Sequence, residues 1–163
     1  MSDRNKKIFL ITCIAVPFLL YCVYYYSIMI KNAPFKFSEF ENITLKAEVG
    51  NHLDKSFDSK SGDYQYLNTR DSLIKMNVKM TKDDLLYLHR KAVDLGFWNW
   101  PEEMIGDTSG KAPRYTIAYH YQRKSKTVTV DAAYEADPKL KGASLELIKT
   151  INTAIADAAD RGR

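Results

Sequence analysis

Residues Ile8 to Ile30 form an unbroken run of 23 residues without a charge, IFLITCIAVPFLLYCVYYYSIMI. As a helix rising ~1.5 Å per residue the run extends roughly 35 Å, enough to cross a bilayer hydrocarbon core of ~30 Å. Twelve of its positions are Ile, Leu, Val or Phe. At ~−0.3 to −0.6 kcal/mol each, these favour membrane insertion by at most roughly 4–7 kcal/mol. Pro17 is a kink position that membrane helices tolerate better than soluble ones. The competing reading, a core helix of a soluble protein, calls for a polar face, and the run has none.

The flanking charges orient the run. Arg4, Lys6 and Lys7 precede it, while Lys31 and Lys36 follow, with Glu39 and Glu41 close behind. Basic residues favour the cytoplasmic side, so a margin of one predicts the N-terminus inside and the rest of the chain outside. Tyr24, Tyr25 and Tyr26 fall at the far end, where the rings stay in lipid and the phenol heads reach water. The apolar run exceeds the ~7–15 residues of a cleaved signal, and no A-x-A-like site follows it. Cys22 is preceded by Leu19-Leu20-Tyr21, where the bulky tyrosine argues against a lipid-attachment motif. The expected organisation is a cytoplasmic tail at 1–7, an uncleaved signal anchor at 8–30, a juxtamembrane linker at 31–40 and an extracytoplasmic domain at 41–163.

The chain carries 24 Lys and Arg against 20 Asp and Glu. Four of the basic residues and one acidic residue lie in 1–31, which leaves 20 and 19 for the remainder, a nearly neutral domain. Such a domain lacks the broad positive field that drives non-specific nucleic-acid binding. Both cysteines, Cys13 and Cys22, lie inside the apolar run. The domain beyond it therefore has no disulfide, thiolate nucleophile or Cys-ligated zinc of its own.

Beyond the linker the pattern alternates. Ile43, Leu45, Ala47 and Val49 predict a strand, and this outweighs reading Asn42-Ile43-Thr44 as a glycosylation sequon. Phe35, Phe37 and Phe40 either touch the membrane surface or begin the core. Residues 51–62 read as a polar loop. Asp63–Leu67 and Leu73–Met80 predict two further strands around a turn at 68–71, with Ile74, Met76, Val78 and Met80 on a buried face. Thr81 caps a helix whose apolar positions are Leu85, Leu88, Ala92 and Leu95, and Gly96 stops it. Tyr115–Tyr121 and Val128–Val130 form a hairpin with a basic tip, Arg123 to Lys126. Asp137-Pro138 opens the last helix, with Ser144 as a second possible cap. The expected fold is α+β: an N-terminal transmembrane helix, then an antiparallel sheet in the order β-β-β-α-β-β-α packed with two helices.

Catalytic signatures are sparse. Gly106, Gly110 and Lys111 have Walker-like spacing, but Ala112 replaces the hydroxyl that would hold Mg²⁺, and no helix follows. His52, His89 and His120 lie on different elements without metal-ligand spacing. His120 and Asp131 could meet across the hairpin, yet no defined nucleophile accompanies them. Glu102-Glu103 reads as surface charge and Asp83-Asp84 as helix-start charge. Phe97-Trp98-Asn99-Trp100 holds both tryptophans. It is either an aromatic binding patch or a plug between helix end and sheet, and the large area such rings bury in a small core favours the plug.

The run from Thr81 through Glu103 resembles a pattern in small exported or membrane-anchored bacterial domains of unknown function. In these a capped helix ends in Gly-Phe-aromatic and then reaches Pro-Glu. Here the residues are Leu95-Gly96-Phe97-Trp98 and Trp100-Pro101-Glu102, and the resemblance extends over residues 43–155. It implies a bacterial envelope location and no activity. The anchor helix departs from the lipid-modified cysteine of many such proteins. The reading is a non-enzymatic, single-pass protein of the cytoplasmic membrane whose outer domain binds an unknown protein partner or ligand and needs no cofactor, metal or nucleic acid. Trp98, Trp100, Tyr119 and Tyr121 are the candidate contact residues. The alternatives are an accessory subunit assembled through its transmembrane helix and a hydrolase using His120, Asp131 or Glu103.

Overall fold

The computed structural model describes residues 3–32, 35–50, 52–107, 109 and 111–162, in two compact units, Met1–Phe35 and Lys36–Arg163. The first unit is one helix, α1 (Asp3–Asn32), with Pro17 inside it. Its window of highest hydropathy has no buried share, and consecutive residues Phe18, Leu19 and Leu20 are all exposed. Apolar groups therefore surround the helix rather than forming a stripe. The hydroxyls turn inward to the backbone: Thr12 Oγ1 donates to the Ile8 carbonyl (2.9 Å) and Ser27 Oγ to that of Val23 (2.6 Å). Neither of these two aliphatic hydroxyls is therefore left bare on the apolar surface. α1 is long and apolar enough to span a membrane.

The second unit is α+β. A 3-10 turn at Phe37–Glu39 leads into β1 (Phe40–Val49), β2 (His52–Asp58), β3 (Asp63–Leu67) and β4 (Leu73–Asn77). α2 (Lys82–Asp94), a second 3-10 turn (Phe97–Asn99) and β5 (Glu103–Met104) follow, then β6 (Arg114–Tyr121), β7 (Ser125–Asp131) and α3 (Pro138–Arg161). The strands form one sheet in the order β4-β3-β2-β1-β6-β7-β5. Every pairing is antiparallel except the two-residue β5–β7 contact.

Register explains which face is buried. Phe57, Leu45, Ile117 and Val128 are cross-strand neighbours in one row, and all four are buried. The neighbouring row, Ser56, Lys46, Thr116 and Thr129, points the other way and is polar. A one-residue slip would exchange the two rows, so the apolar pattern pins the pairing. α2 and α3 cover the apolar face. Tyr119 on β6 donates its hydroxyl to the Leu88 carbonyl of α2 (3.1 Å), and Lys55 on β2 reaches Asn152 of α3 (3.0 Å). The two helices run antiparallel and are joined by ion pairs Asp84–Arg161 and Lys91–Glu146.

The expected caps are present. Thr81 and Asp84 form a reciprocal capping box. Gly96 adopts the left-handed conformation after α2 (φ 73°), which a side chain would strain. Asp137 accepts hydrogen bonds from the amides of Lys139 and Leu140. α3 runs through Gly142 unbroken from that cap, so Ser144 is not a second start.

The structure corrects the strand list. The polar segment expected as a loop at 51–62 contains β2. Its sequence HLDKSFD hides the alternation because Lys55 occupies a core-side position and a bulge lies opposite Ala47/Glu48. β5 is too short to carry a periodic signal. β4 ends at Asn77, and Ile74 and Met76 are only half-buried, while Val78 is buried as expected. Within the segment expected as a linker at 31–40, residues Phe37–Glu39 form a 3-10 turn and Phe40 begins β1.

Candidate functional site

The four expected contact residues do come together, but inside the domain. α2 presents Leu88, His89 and Ala92 to the interior. The left-handed turn at Gly96 then folds the chain back, and the 3-10 turn delivers Phe97 and Trp98 beneath the helix end. Trp100 follows with its indole Nε1–H donating to the Leu95 carbonyl (3.1 Å). Its own carbonyl accepts from Lys126 Nζ (2.7 Å). From the sheet, Tyr119 and Tyr121 project into the same space.

The rings interlock largely edge to face. Trp98 lies 5.4 Å from Tyr119 at 88° and 5.6 Å from Tyr121 at 80°. Phe97 lies 5.3 Å from Trp100 and 5.0 Å from Tyr119. Such geometries match the ring quadrupoles and add to the area term. Trp98, Trp100, Tyr119 and Tyr121 are all buried, so the expected contact surface is part of the core. The reason is the plug geometry: a helix ending over a sheet leaves a gap as wide as several rings, and these rings fill it.

His89 is the residue that the sequence reading did not connect to this cluster. Its position, four after Leu85 and beside Leu88, was the available signal, since it shares the apolar face of α2. His89 Nδ1 lies 2.8 Å from the Tyr121 hydroxyl. The imidazole packs against Trp98 at 5.9 Å and Phe37 at 5.5 Å. Burial first, and then the Arg90 guanidinium, holds its pKa below the ordinary histidine value. Burial pushes both Tyr119 and Tyr121 well above the ordinary phenol value. At neutral pH the cluster is therefore a set of uncharged rings with hydrogen bonds between them. It reaches the surface at a recess of about 360 Å³ lined by Phe37, Leu86, His89, Arg90, Val93 and Asp94. The arrangement can hold apolar groups and a neutral imidazole; it presents no activated nucleophile.

The residues considered for hydrolysis do not converge. His120 is opposite Ser125 in the hairpin, with Nδ1 3.0 Å from the serine hydroxyl, whereas Asp131 is opposite Arg114. The six intervening strand steps separate His120 from the Arg114–Asp131 end by roughly 20 Å. The meeting of His120 and Asp131 that a hairpin could have allowed therefore does not occur. Asp131 is buried and accepts three backbone amides: Gly106 (3.2 Å), Asp107 (2.7 Å) and Ala133 (2.6 Å). It fastens the loop after β5. Glu103 is exposed on β5, opposite Thr129.

That loop carries a second device missed in the sequence. The Asp107 carboxylate accepts from the Ser109 hydroxyl and amide and from the amides of Lys111 and Ala112. These bonds, the Ser109 hydroxyl foremost, hold its carboxyl well below the usual range. Its signal was the Asp-x-Ser spacing typical of a side chain mimicking a turn. Among the described residues, no group of three or more His, Cys, Asp or Glu side chains could hold a metal ion. No protein-family model matches the chain, and no curated protein sequence is significantly similar to it.

Proposed function

We propose that the chain is a single-pass protein of a bacterial cytoplasmic membrane, anchored by α1 with its N-terminus inside, and that residues 36–163 form a non-enzymatic domain outside that binds a protein partner. The observation that carries this reading is the uncovered apolar surface of α1. From Ile8 to Ile30 its large side chains are exposed around the whole helix, a surface far larger than soluble proteins leave in water. The flanking basic residues favour the stated orientation. The separation of His120 from Asp131 removes the one acid–histidine pairing considered for catalysis. With the aromatic cluster internal, contact falls to the half-exposed apolar groups at its edge, Phe37 and Leu86, with exposed Val93 beside them.

The test combines topology with capture. Thr127, exposed on β7, is replaced by cysteine (Thr127→Cys), and spheroplasts are treated with a membrane-impermeant maleimide. Labelling before lysis is expected. Labelling only after lysis refutes the orientation, and recovery of the chain in the soluble fraction refutes the anchor. In-cell crosslinking then compares the native chain with one whose α1 is exchanged for an unrelated transmembrane helix. A partner captured by both supports the domain as binder. One captured only with native α1 favours the accessory-subunit reading instead, and none in either refutes partner binding.

A further inference from the structure

The aromatic cluster encloses an imidazole, and the first residues of the domain rest on it. His89 is 7% exposed. The ring centroids of Phe37, Trp98, Tyr121 and Phe40 lie 5.5, 5.9, 5.9 and 6.4 Å from its own. Phe37 belongs to the 3-10 turn and Phe40 begins β1. Thus the segment through which the chain enters the domain packs on α2 beside this ring, while Glu39 and Phe40 are also tied to the sheet through the Gln122 amide, Arg123 and the pairing of Phe40 with Tyr121. The recess beside it gives water access to the ring edge.

We propose that His89 is an acid-sensitive latch: protonating its imidazole weakens the packing of Phe37 and Phe40 on α2 and lets residues 37–40 open, fraying the first residue of β1, while the rest of the sheet and α3 stay folded. The inference stands apart from the membrane and partner readings.

The charged surroundings set the direction. On α2, Arg90 adjoins His89 and disfavours the imidazolium, while Asp94 shares the recess and favours it. On β6, Tyr121 faces the ring as a neutral phenol. The second 3-10 turn offers only Phe97, Trp98 and Asn99, none of them titratable. On the lead-in segment, the Glu39 carboxylate is engaged by Arg123 through two bonds of 2.6 Å. The faces of the rings recover part of the cost of a buried cation. Burial and then Arg90 outweigh this, and the imidazole sits below its ordinary value. In the imidazolium both ring nitrogens carry protons, so Nδ1 can only donate to the Tyr121 oxygen and the phenol hydrogen points elsewhere.

The sign follows. The closed state has the lower pKa, so between that value and the unperturbed ~6.5 the open state binds more protons. The latch is fully effective above pH ~6.5 and is lost as pH falls. The opening equilibrium grows by up to roughly tenfold per pH unit until the closed-state pKa is passed.

The experiment is amide hydrogen exchange on the full-length chain in detergent micelles, from about pH 7.5 to about pH 5, corrected for intrinsic exchange. The Glu39 and Phe40 amides bond to the carbonyls of Lys36 and Phe37 and report the segment; Ile151 and Ile155 report α3. Protection at Glu39 and Phe40 is expected to fall by up to roughly fivefold between pH 6.5 and 5.5 while Ile151 and Ile155 hold. His89→Gln keeps a polar group near Tyr121 and cannot titrate, so it should abolish the dependence. Because that variant could fail to fold, the wild-type imidazole is also titrated by NMR. A His89 pKa at or above ~6.5 overturns the proposal. So does protection at Glu39 and Phe40 that is constant with pH, or that falls in step with Ile151.

Discussion

Replacing Trp98 by alanine separates a core ring from a contact ring. The indole is buried against Phe97, His89, Tyr119 and Tyr121. A tryptophan in this setting removes ~200 Å² from water, worth ~5 kcal/mol at ~25 cal/mol per Å². Large-to-small substitutions of this kind cost about 3–5 kcal/mol, because the surrounding rings, fixed by their own hydrogen bonds, collapse only partly into the void. The unit from Lys36 to Arg163 is roughly 130 residues, so its unfolding entropy is ~0.27 kcal/mol/K and the midpoint should drop by roughly 11–18 °C. The assay is thermal unfolding of the full-length chain in detergent, followed by near-ultraviolet circular dichroism, which reports the packed rings. Trp98→Phe should fall between wild type and Trp98→Ala. Tyr87→Ala, on the exposed side of α2, serves as control and should change stability by less than ~0.5 kcal/mol. A Trp98→Ala midpoint within ~2 °C of wild type would refute the burial argument and return the ring to the surface.

Other substitutions probe separate parts of the chain. Thr81→Ala removes half of the capping box at the start of α2 and should cost about 1 kcal/mol, read as a lower urea midpoint at unchanged slope. Gly106→Ala would bring a Cβ within 2.1 Å of the Ala133 carbonyl oxygen, so the loop held by Asp131 must shift. A loss of about 1–3 kcal/mol is expected, with faster exchange of the Asp107 amide; an unchanged protein would show that the loop approaches Ala133 less closely. Leu19→Lys puts a charge in the middle of α1 at about 2.5–3.5 kcal/mol, against an insertion free energy of at most roughly 4–7 kcal/mol. A smaller fraction of the chain should then resist carbonate extraction, and no change would argue against α1 as the membrane segment.

The features legible in the sequence are those whose physics is contained in a few neighbouring residues. An uncharged run of 23 residues marks α1 as long and apolar enough to span a membrane, because that property depends only on the composition of the segment. Thr81, Gly96 and Asp137 mark helix ends through bonds to amides or carbonyls within a turn. The alternation at Tyr115–Tyr121 and Val128–Val130 contains its own hairpin. Tertiary structure decided the rest, because burial depends on what lies across the sheet. β2 is a strand despite a lysine on its core side, since Asn152 of a distant helix receives that lysine. His120 and Asp131 are alternating hairpin residues either way, but register sets them at opposite ends. Trp98 and Trp100 are internal because α2 stops above β6, and His89 becomes a buried imidazole only when Phe37 and Phe40, some 50 residues earlier, close over it. Local free energies of a capped turn or an apolar run are readable one segment at a time; desolvation is a property of the assembled fold, and only there does a histidine or a tryptophan acquire its role.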